Sequence, residues 1–276
     1  MKINYPLMRN NINRSDLNKV IKHLSKDDPK LTQGKNVILF EKNWSKWLGV
    51  KYSVFVNSGS SANYISLRLL REIYGIGEII MTPFTWSSDI NSVIENGFKP
   101  VFIDINLKNL SIDEKQILKK INKRTKAIFI TYAQGFNALS KKILEVIKQK
   151  NIHLIEDVCE SHGAKFNNKK LGTFGIMSNF SFYYAHHMST IEGGMICTNK
   201  KEIYNICKMM RGHGMIRECQ DSNIMKYYTA KYPDLNPNFI FAYSGFNMRN
   251  NEIGAIIGNN QIKRLDQNII KRNRNN

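Results

Sequence analysis

The sequence predicts an α/β fold in which a mostly parallel sheet lies between layers of helices. Two observations predict it. Short apolar runs of strand length recur along the chain, and segments with apolar residues at helical spacing separate several of them. Strands separated by helices form a mostly parallel sheet that is covered on both faces. The 276 residues, of which 42% are hydrophobic, are enough to bury a sizeable core.

Seven short runs have the length and apolar content of strands. Thr82 and Pro83 end the run at residues 78–81, because proline cannot continue a strand ladder. The turn Glu192-Gly193-Gly194 precedes the last run. The predicted strands cover residues 54–57, 78–81, 99–105, 127–132, 152–157, 180–184 and 195–198.

Four segments carry apolar residues three or four positions apart, as one face of a helix does. The last of them runs to the end of the sequence without a glycine cap. The predicted helices cover residues 61–73, 139–150, 201–210 and 251–276. Because ligands bind at the carboxyl ends of strands in such sheets, residues that follow a strand are the candidates for a functional site.

The charge balance is strongly basic, with 41 Lys and Arg against 22 Asp and Glu and a net charge of +19. Basic proteins attract acidic partners. The basic residues are nevertheless spread along the chain, with no alternation of aromatic and basic residues and no finger spacing. Two interpretations are therefore favoured over nucleic acid: a general richness in Lys and Asn, and attraction for phosphorylated small molecules.

Neither a metal site nor a membrane location is expected. The four cysteines form no CxxC pair and match no zinc or cluster spacing, so free thiols are predicted, as in a reducing compartment. No apolar run approaches the length of a membrane span, and residues 1–6 lack the apolar stretch of a signal peptide. We therefore expect a cytoplasmic protein.

Residues 57–62 join a predicted strand to the N-terminus of a predicted helix. Such a junction offers free backbone N–H groups and the positive end of the helix dipole, which suit a phosphate group. Gly59 allows close approach of the backbone, and Ser60 and Ser61 add hydroxyl groups. Taken alone, the same residues also fit a plain capped turn.

Two more side chains follow strands. Trp86 can stack on a ligand ring, although an isolated tryptophan more often belongs to the core. Asp157 ends an apolar strand, where its carboxylate can pair with a protonated ring nitrogen or simply face solvent. The residues alone leave these alternatives open.

Residues 181–194 read Ser-Phe-Tyr-Tyr-Ala-His-His-Met-Ser-Thr-Ile-Glu-Gly-Gly. This run resembles the cofactor-anchoring segment of the DegT/DnrJ/EryC1/StrS sugar aminotransferases, which have the type I fold of pyridoxal-phosphate enzymes. In most members a lysine five residues after the serine binds the cofactor covalently. Here that residue is His186, as in a minority branch that dehydrates nucleotide-linked 4-keto-6-deoxysugars at carbon 3.

The resemblance implies a role for each matching residue. His186 would move protons on the cofactor and on the hydroxyl group that leaves carbon 3, and His187 would contact substrate or the subunit interface. Asn247 would reach the cofactor phosphate of a second subunit, with Arg249 at the interface or the substrate. The implied contacts of pyridoxal or pyridoxamine 5′-phosphate are Gly59, Ser60, Ser61, Trp86, Asp157, Glu160, Ser181 and Asn247. His162, in the same motif as Glu160, is expected to be a satisfied structural histidine.

The resemblance also implies partners. They are a nucleoside-diphosphate 4-keto-6-deoxysugar, glutamate as amine donor and a second copy of the chain, in the synthesis of 3,6-dideoxysugars for surface lipopolysaccharide. Some relatives with this histidine hold an iron–sulfur cluster on several cysteines that follow an Arg-x-x-Gly segment. Here only Cys219 follows Arg211, so no cluster is expected. The sequence leaves GDP or CDP and the sugar stereochemistry open, and also the need for a reductase.

The resemblance divides the chain in two. Residues 1–250 would form the large cofactor-binding domain with an N-terminal arm, and residues 251–276 would begin a helix toward a small C-terminal domain that this sequence is expected to lack. Two rival functions remain: a sugar aminotransferase despite the histidine, and a cofactor-binding relative without turnover. The missing lysine disfavours the first. The retained residues 57–62, the predicted phosphate loop, and Asp157 disfavour complete loss of function.

Overall fold

A seven-stranded sheet lies at the centre of the structure, a computed structural model that describes residues 10–275. Two small hairpins, β4 with β5 and β8 with β9, lie outside it. The strands are β1 (Tyr52–Val56), β2 (Glu78–Met81), β3 (Lys99–Phe102), β4 (Ile105–Asn106), β5 (Ser111–Ile112), β6 (Thr125–Thr131), β7 (His153–Asp157), β8 (Lys165–Phe166), β9 (Lys169–Lys170), β10 (Met177–Ser181) and β11 (Gly194–Thr198).

The large sheet has the strand order β1-β11-β10-β7-β6-β2-β3. Four neighbouring pairs are parallel, and only β11 runs antiparallel to its neighbours β1 and β10 in the described chain. The predicted mostly parallel sheet is therefore confirmed. The carboxyl ends of β1, β2, β6, β7 and β10 lie at one edge, together with the first residue of β11.

Helices cover both faces of the sheet, as predicted. One apolar cluster contains Phe40, Trp44 and Phe180, and a second contains Leu69 and Ile206 on the opposite face. The α-helices are α1 (Arg14–Leu24), α2 (Lys35–Leu48), α3 (Gly59–Tyr74), α4 (Ser87–Glu95), α5 (Glu114–Lys120), α6 (Lys141–Lys150), α7 (Lys201–Arg211), α8 (Ser222–Lys231) and α9 (Glu252–Asn275).

Two strand predictions were wrong in their bounds. The strand placed at 180–184 is β10, which begins at Met177 and ends at Ser181, because Ser178 and Asn179 lie inside the sheet with hydrogen-bonded side chains. The strand placed at 99–105 ends at Phe102, since Ile105 pairs with Ile112 in a separate hairpin. The four predicted helices correspond to α3, α6, α7 and α9, whereas α1, α2, α4, α5 and α8 were missed.

The first residue of helix α9, Glu252, caps the N-terminus of helix α2. The carboxylate of Glu252 accepts hydrogen bonds from the backbone N–H groups of Gly34, Asn36 and Val37, at 3.0, 3.1 and 2.9 Å. Gly34 is the N-cap of α2 and has no side chain to satisfy these amides. A residue 218 positions later along the chain therefore caps α2.

The sequence-based division at residue 250 stays a prediction. Helix α9 packs against α1 and α2, and the start of the predicted N-terminal arm, residues 1–9, lies outside the described residues. All four cysteines are free, in agreement with the prediction, with Cys159 half-buried and the other three buried. Within residues 10–275, no helix has both the length and the apolarity to cross a membrane.

We expect Glu252→Ala to lower the free energy of unfolding by about 2–3 kcal/mol, because three backbone amides at the start of α2 lose a charged acceptor. Urea denaturation of the full chain would measure the change. Glu145→Ala, at an exposed position of α6, is the matched control and should change stability little. Equal unfolding midpoints for the two variants would contradict the capping role.

Candidate active site

The predicted site residues that follow strands lie at the carboxyl edge of the sheet, as expected. The phosphate-loop residues follow β1, Trp86 follows β2, Asp157 ends β7 and Ser181 ends β10. Contacts join these positions: Gly59 lies against Ser181, and Asn63 on α3 binds Asp157. The structure therefore brings these segments of the sequence to one place.

The loop between β1 and α3 is closely packed against β10. A Cβ atom at Gly59 would lie 2.7 Å from Cβ of Ser181, so only glycine fits there. Ser58 caps α3 by accepting a hydrogen bond from the Ser61 amide at 3.0 Å, and the Ser61 hydroxyl donates to Asn57 at 2.6 Å. The amides of Gly59 and Ser60 have no acceptor among residues 10–275. Free amides at a helix N-terminus form an anion site.

Asp157 is buried at the end of β7. Its Oδ1 accepts a hydrogen bond from the Cys159 amide, and its Oδ2 accepts one from Asn63 Nδ2, both at 2.8 Å. No lysine, arginine or histidine forms a salt bridge with Asp157 in the described structure. A buried carboxylate without a cation partner is suited to bind a cationic group of a ligand.

His186 lies on the segment after β10, where its ring is half-buried near Tyr183 and His162. Burial lowers the pKa of the His186 imidazole below its usual range near 6.5; the Asp157 carboxylate opposes the shift and Arg272 adds to it. The ring is therefore neutral at pH 7 and able to accept a proton.

His187 turns its ring inward. It stacks on His162 with ring centroids 5.1 Å apart, and burial lowers its pKa to about 3. His162 itself lies between Trp44 and Phe180, and neither of its ring nitrogens has a hydrogen-bond partner in the described chain. The packing supports the expected structural role of His162, while the expected hydrogen-bond partner is not found in the described chain.

Two predicted contacts present their side chains at the surface. Trp86 is 71% exposed, immediately before α4, so one face of its indole is free to stack on a ligand. Glu160 is exposed and accepts a hydrogen bond from Gln134 Nε2 at 3.1 Å. Gln134 has a positive φ of 52° in the turn after β6, a conformation that few residues other than glycine adopt.

Asn247 and Arg249 lie beside the end of β1. Arg249 forms a bridge with Val56, and the Asn57 amide donates to the Met248 carbonyl at 3.0 Å. The Arg249 guanidinium pairs with Glu218 at 2.9 Å and also donates to Asn247 Oδ1 at 3.2 Å. Asn247 is exposed. Its side chain therefore lies near the phosphate loop but at the surface of this chain.

Two cavities flank the phosphate loop. One, of about 280 Å³, is lined by Ser60, Ser61 and Met248 together with side chains of α3 and α4. The other, of about 370 Å³, is lined by Asn57, Arg249 and the turn before β11. Neither is lined by Asp157, Trp86 or His186. Asp157, Trp86 and His186 therefore lie outside these two cavities.

Asp89 is a site residue that the sequence analysis missed. It lies in the first turn of α4, three residues after Trp86, and Asn63 Nδ2 donates to its Oδ1 at 2.7 Å as well as to Asp157. An aspartate in the first turn of a helix is ordinary, because it complements the helix dipole. Only its complete burial distinguishes Asp89, and the sequence carries no signal for that.

These groups fit a phosphorylated aromatic ring that contains a basic nitrogen. Free amides at Gly59 and Ser60 suit the phosphate, and the exposed ring of Trp86 suits stacking. The unpaired carboxylate of Asp157 suits a protonated ring nitrogen. In the described residues, no group of three or more His, Cys, Asp and Glu side chains is arranged to hold a metal ion.

Comparison with known proteins gives a consistent result. The profile of the DegT/DnrJ/EryC1/StrS aminotransferase family matches residues 11–276. The chain is similar to a GDP-4-keto-6-deoxy-D-mannose 3-dehydratase of Yersinia pseudotuberculosis, with 33% identity over 99% of this chain and 70% of the relative. A protein of the same name from Escherichia coli O55:H7 is 35% identical over 99% of this chain and 71% of the relative.

A solved structure is also similar. It is a GDP-4-keto-6-deoxymannose-3-dehydratase with a trapped PLP–glutamate geminal diamine, which superimposes with a TM-score of 0.84 and 32% identity. The match covers 96% of this chain and 69% of that chain. The similarity therefore extends over nearly all of this sequence.

We expect His186 in the purified chain to titrate below 6.5, because burial disfavours its charged form. Histidine ring signals in an NMR pH titration would report the pKa, with His186→Asn identifying the resonance. His187 should show no titration between about pH 5 and pH 8. A pKa of His186 at or above the usual value would contradict the expectation.

Proposed function

Because the chain belongs to the DegT/DnrJ/EryC1/StrS aminotransferase family, we propose that it is a pyridoxal- or pyridoxamine-phosphate-dependent 3-dehydratase of a nucleotide-linked 4-keto-6-deoxyhexose. One observation carries the proposal: a histidine, His186, occupies the position where most of the family has lysine. The 3-dehydratases of Yersinia and Escherichia support GDP-4-keto-6-deoxymannose as the substrate.

Named residues of this chain would hold the cofactor. The amides of Gly59 and Ser60, with the hydroxyl of Ser181, would bind its phosphate, and Asp157 would keep its ring nitrogen protonated. Trp86 would stack on the ring, and Glu160 would contact its face or its hydroxyl group. When bound, the cofactor supplies an amine that condenses with the keto group of the sugar and a ring that accepts electrons from the bonds being broken.

His186 would then be the proton carrier. Its imidazole is neutral at pH 7, so it can take up a proton and deliver it to the oxygen of the hydroxyl group that leaves carbon 3 of the sugar. An imidazole cannot attach to an aldehyde as a lysine does, which favours dehydration over transfer of nitrogen. His187, whose pKa is about 3, cannot supply a proton near neutral pH.

The proposal also includes the amine donor, the use of the product, the cellular location and the oligomeric state. Glutamate would be the amine donor, since a similar 3-dehydratase structure contains PLP trapped with glutamate. The product would enter 3,6-dideoxysugar synthesis for surface lipopolysaccharide, in the cytoplasm. A homodimer would complete the site, because Asn247 is exposed beside the phosphate loop, where a second chain can contact it.

An assay tests the function directly. The purified chain, incubated with GDP-4-keto-6-deoxymannose, pyridoxal phosphate and glutamate, should yield a sugar that lacks the hydroxyl group at carbon 3. Mass spectrometry would identify the product. Formation of an amino sugar would support an aminotransferase instead, and cofactor binding without sugar consumption would support a binding protein without turnover.

His186→Asn should lower kcat by about 10²–10⁴-fold, the usual contribution of a general acid–base group, and leave the Kd for pyridoxal phosphate within a few-fold. His187→Asn is the matched control, because it removes the neighbouring imidazole. We expect it to change kcat less than about tenfold. A larger loss of kcat for His187→Asn than for His186→Asn would mean that His187, and not His186, is the proton carrier.

Mixed dimers test whether Asn247 acts on the partner's site. Asn247→Ala and His186→Asn should each be nearly inactive alone. Co-expressed, they should recover about one quarter of the wild-type activity, because half of the dimers are mixed and each mixed dimer holds one complete site. No recovery would mean that Asn247 serves the site of its own chain.

A further inference from the structure

Asp89 and Asp157 form a pair of buried carboxyl groups. Asp89 is 0% exposed and Asp157 is 4% exposed. The single amide nitrogen of Asn63 donates to both, at 2.7 Å to Asp89 Oδ1 and 2.8 Å to Asp157 Oδ2. Within the described chain neither carboxyl forms a salt bridge with a cation. The shared donor therefore holds two acids side by side without a counter-charge.

The hydrogen bonds around Asp89 require one more hydrogen than the neighbouring side chains supply. The hydroxyl oxygens of Thr85 and Thr131 both contact Asp89 Oδ2, and they lie 2.6 Å from each other. Three oxygens in three mutual hydrogen bonds need three hydrogens, whereas the two threonines carry one each. A proton on Asp89 supplies the third and completes the ring of hydrogen bonds.

Electrostatics leads to the same assignment. Two adjacent buried carboxylates cannot both be ionised without a large cost. Burial, and then the charge of Asp157, raise the pKa of Asp89 well above its usual value, and the threonine hydroxyls only partly oppose the shift. The titratable groups that face this pair are the Cys159 thiol, whose pKa is also raised by burial, and the His186 imidazole, which interacts with the charge of Asp157.

We propose that Asp89 stays protonated at neutral pH and is a positioning residue for Asp157. Its neutral carboxyl and Asn63 fix the orientation of Asp157, and Asp157 remains the negative charge that meets a ligand. The ligand is a cationic ring nitrogen, and this part rests on the proposed function. The protonation of Asp89 itself does not depend on any ligand.

Protonation is tested on the cofactor-free chain. NMR of wild-type protein labelled with ¹³C-aspartate should show one carboxyl carbon in its protonated form at pH 7, and Asp89→Asn should remove that signal. If the variant does not fold, sequence-specific assignment of the wild-type carboxyl carbons identifies the protonated residue, and a proton on Asp157 instead of Asp89 would overturn the proposal. Only ionised aspartates at pH 7 would overturn the proposal, whether or not the chain binds pyridoxal phosphate.

The pH dependence of stability gives an independent check. The folded state would retain a proton on Asp89 that the unfolded chain releases above about pH 4, so the stability of wild type relative to Asp89→Asn should fall as pH rises. A difference between the two unfolding free energies that does not change with pH would contradict a raised proton affinity at Asp89.

Ligand binding tests the positioning role. Asp89→Ala should weaken pyridoxal phosphate binding about tenfold, because Asp157 loses part of its support, and Asp89→Asn should restore it, because asparagine mimics the protonated acid. Asp157→Asn removes the negative charge of Asp157 directly, and its affinity for pyridoxal phosphate is the reference for the other variants. Wild-type affinity in the alanine variant, or equal weakening by alanine and asparagine, would overturn the role. If wild type does not bind pyridoxal phosphate, the proposed function fails and the protonation result stands.

Discussion

The structure depends on the alternation of side chains along β7, the strand between β6 and β10. Glu156 and Asp157 are neighbours and point to opposite faces of the sheet. Glu156 accepts hydrogen bonds from three backbone amides of residues 172–175 and from the Tyr132 hydroxyl, which hold it in the interior. Asp157 turns to the other face, toward α3 and α4. Glu156 thus anchors the fold, and its neighbour Asp157 supplies the negative charge that is proposed to bind the ligand.

Much of the sheet could be predicted because its strands are apolar and separated by helical patterns. The strand β2 was predicted with its observed bounds, since Thr82 and Pro83 follow it directly. The strand β10 was misplaced because Ser178 and Asn179 make it look polar, and Ser66, the partner of Asn179, lies 113 positions away in the sequence. Helix α2 was missed although its buried residues Val37, Phe40, Trp44 and Leu48 follow helical spacing and Gly49 caps its C-terminus, so the sequence did carry a signal for it.

The candidate site could be predicted where a motif carried it. Gly59, Asp157 and His186 stand out from local sequence alone or from resemblance to a family. Asp89 could not be found this way, because its surroundings come from α3, β6 and β7, which only the folded chain assembles. The same limit applies to His162, which was expected to be satisfied and instead packs among aromatic rings without a hydrogen-bond partner in the described structure.

The contact between Glu252 and the start of α2 has a consequence for biosynthesis. The amides of Gly34 and Val37 leave the ribosome more than 200 residues before the carboxylate that satisfies them, given separations of 218 and 215 residues. Until then the nascent chain holds an incompletely capped helix whose apolar face lacks α9. The start of α2 is therefore capped only after α9 has been synthesised, and until then the exposed apolar face of α2 is open to aggregation.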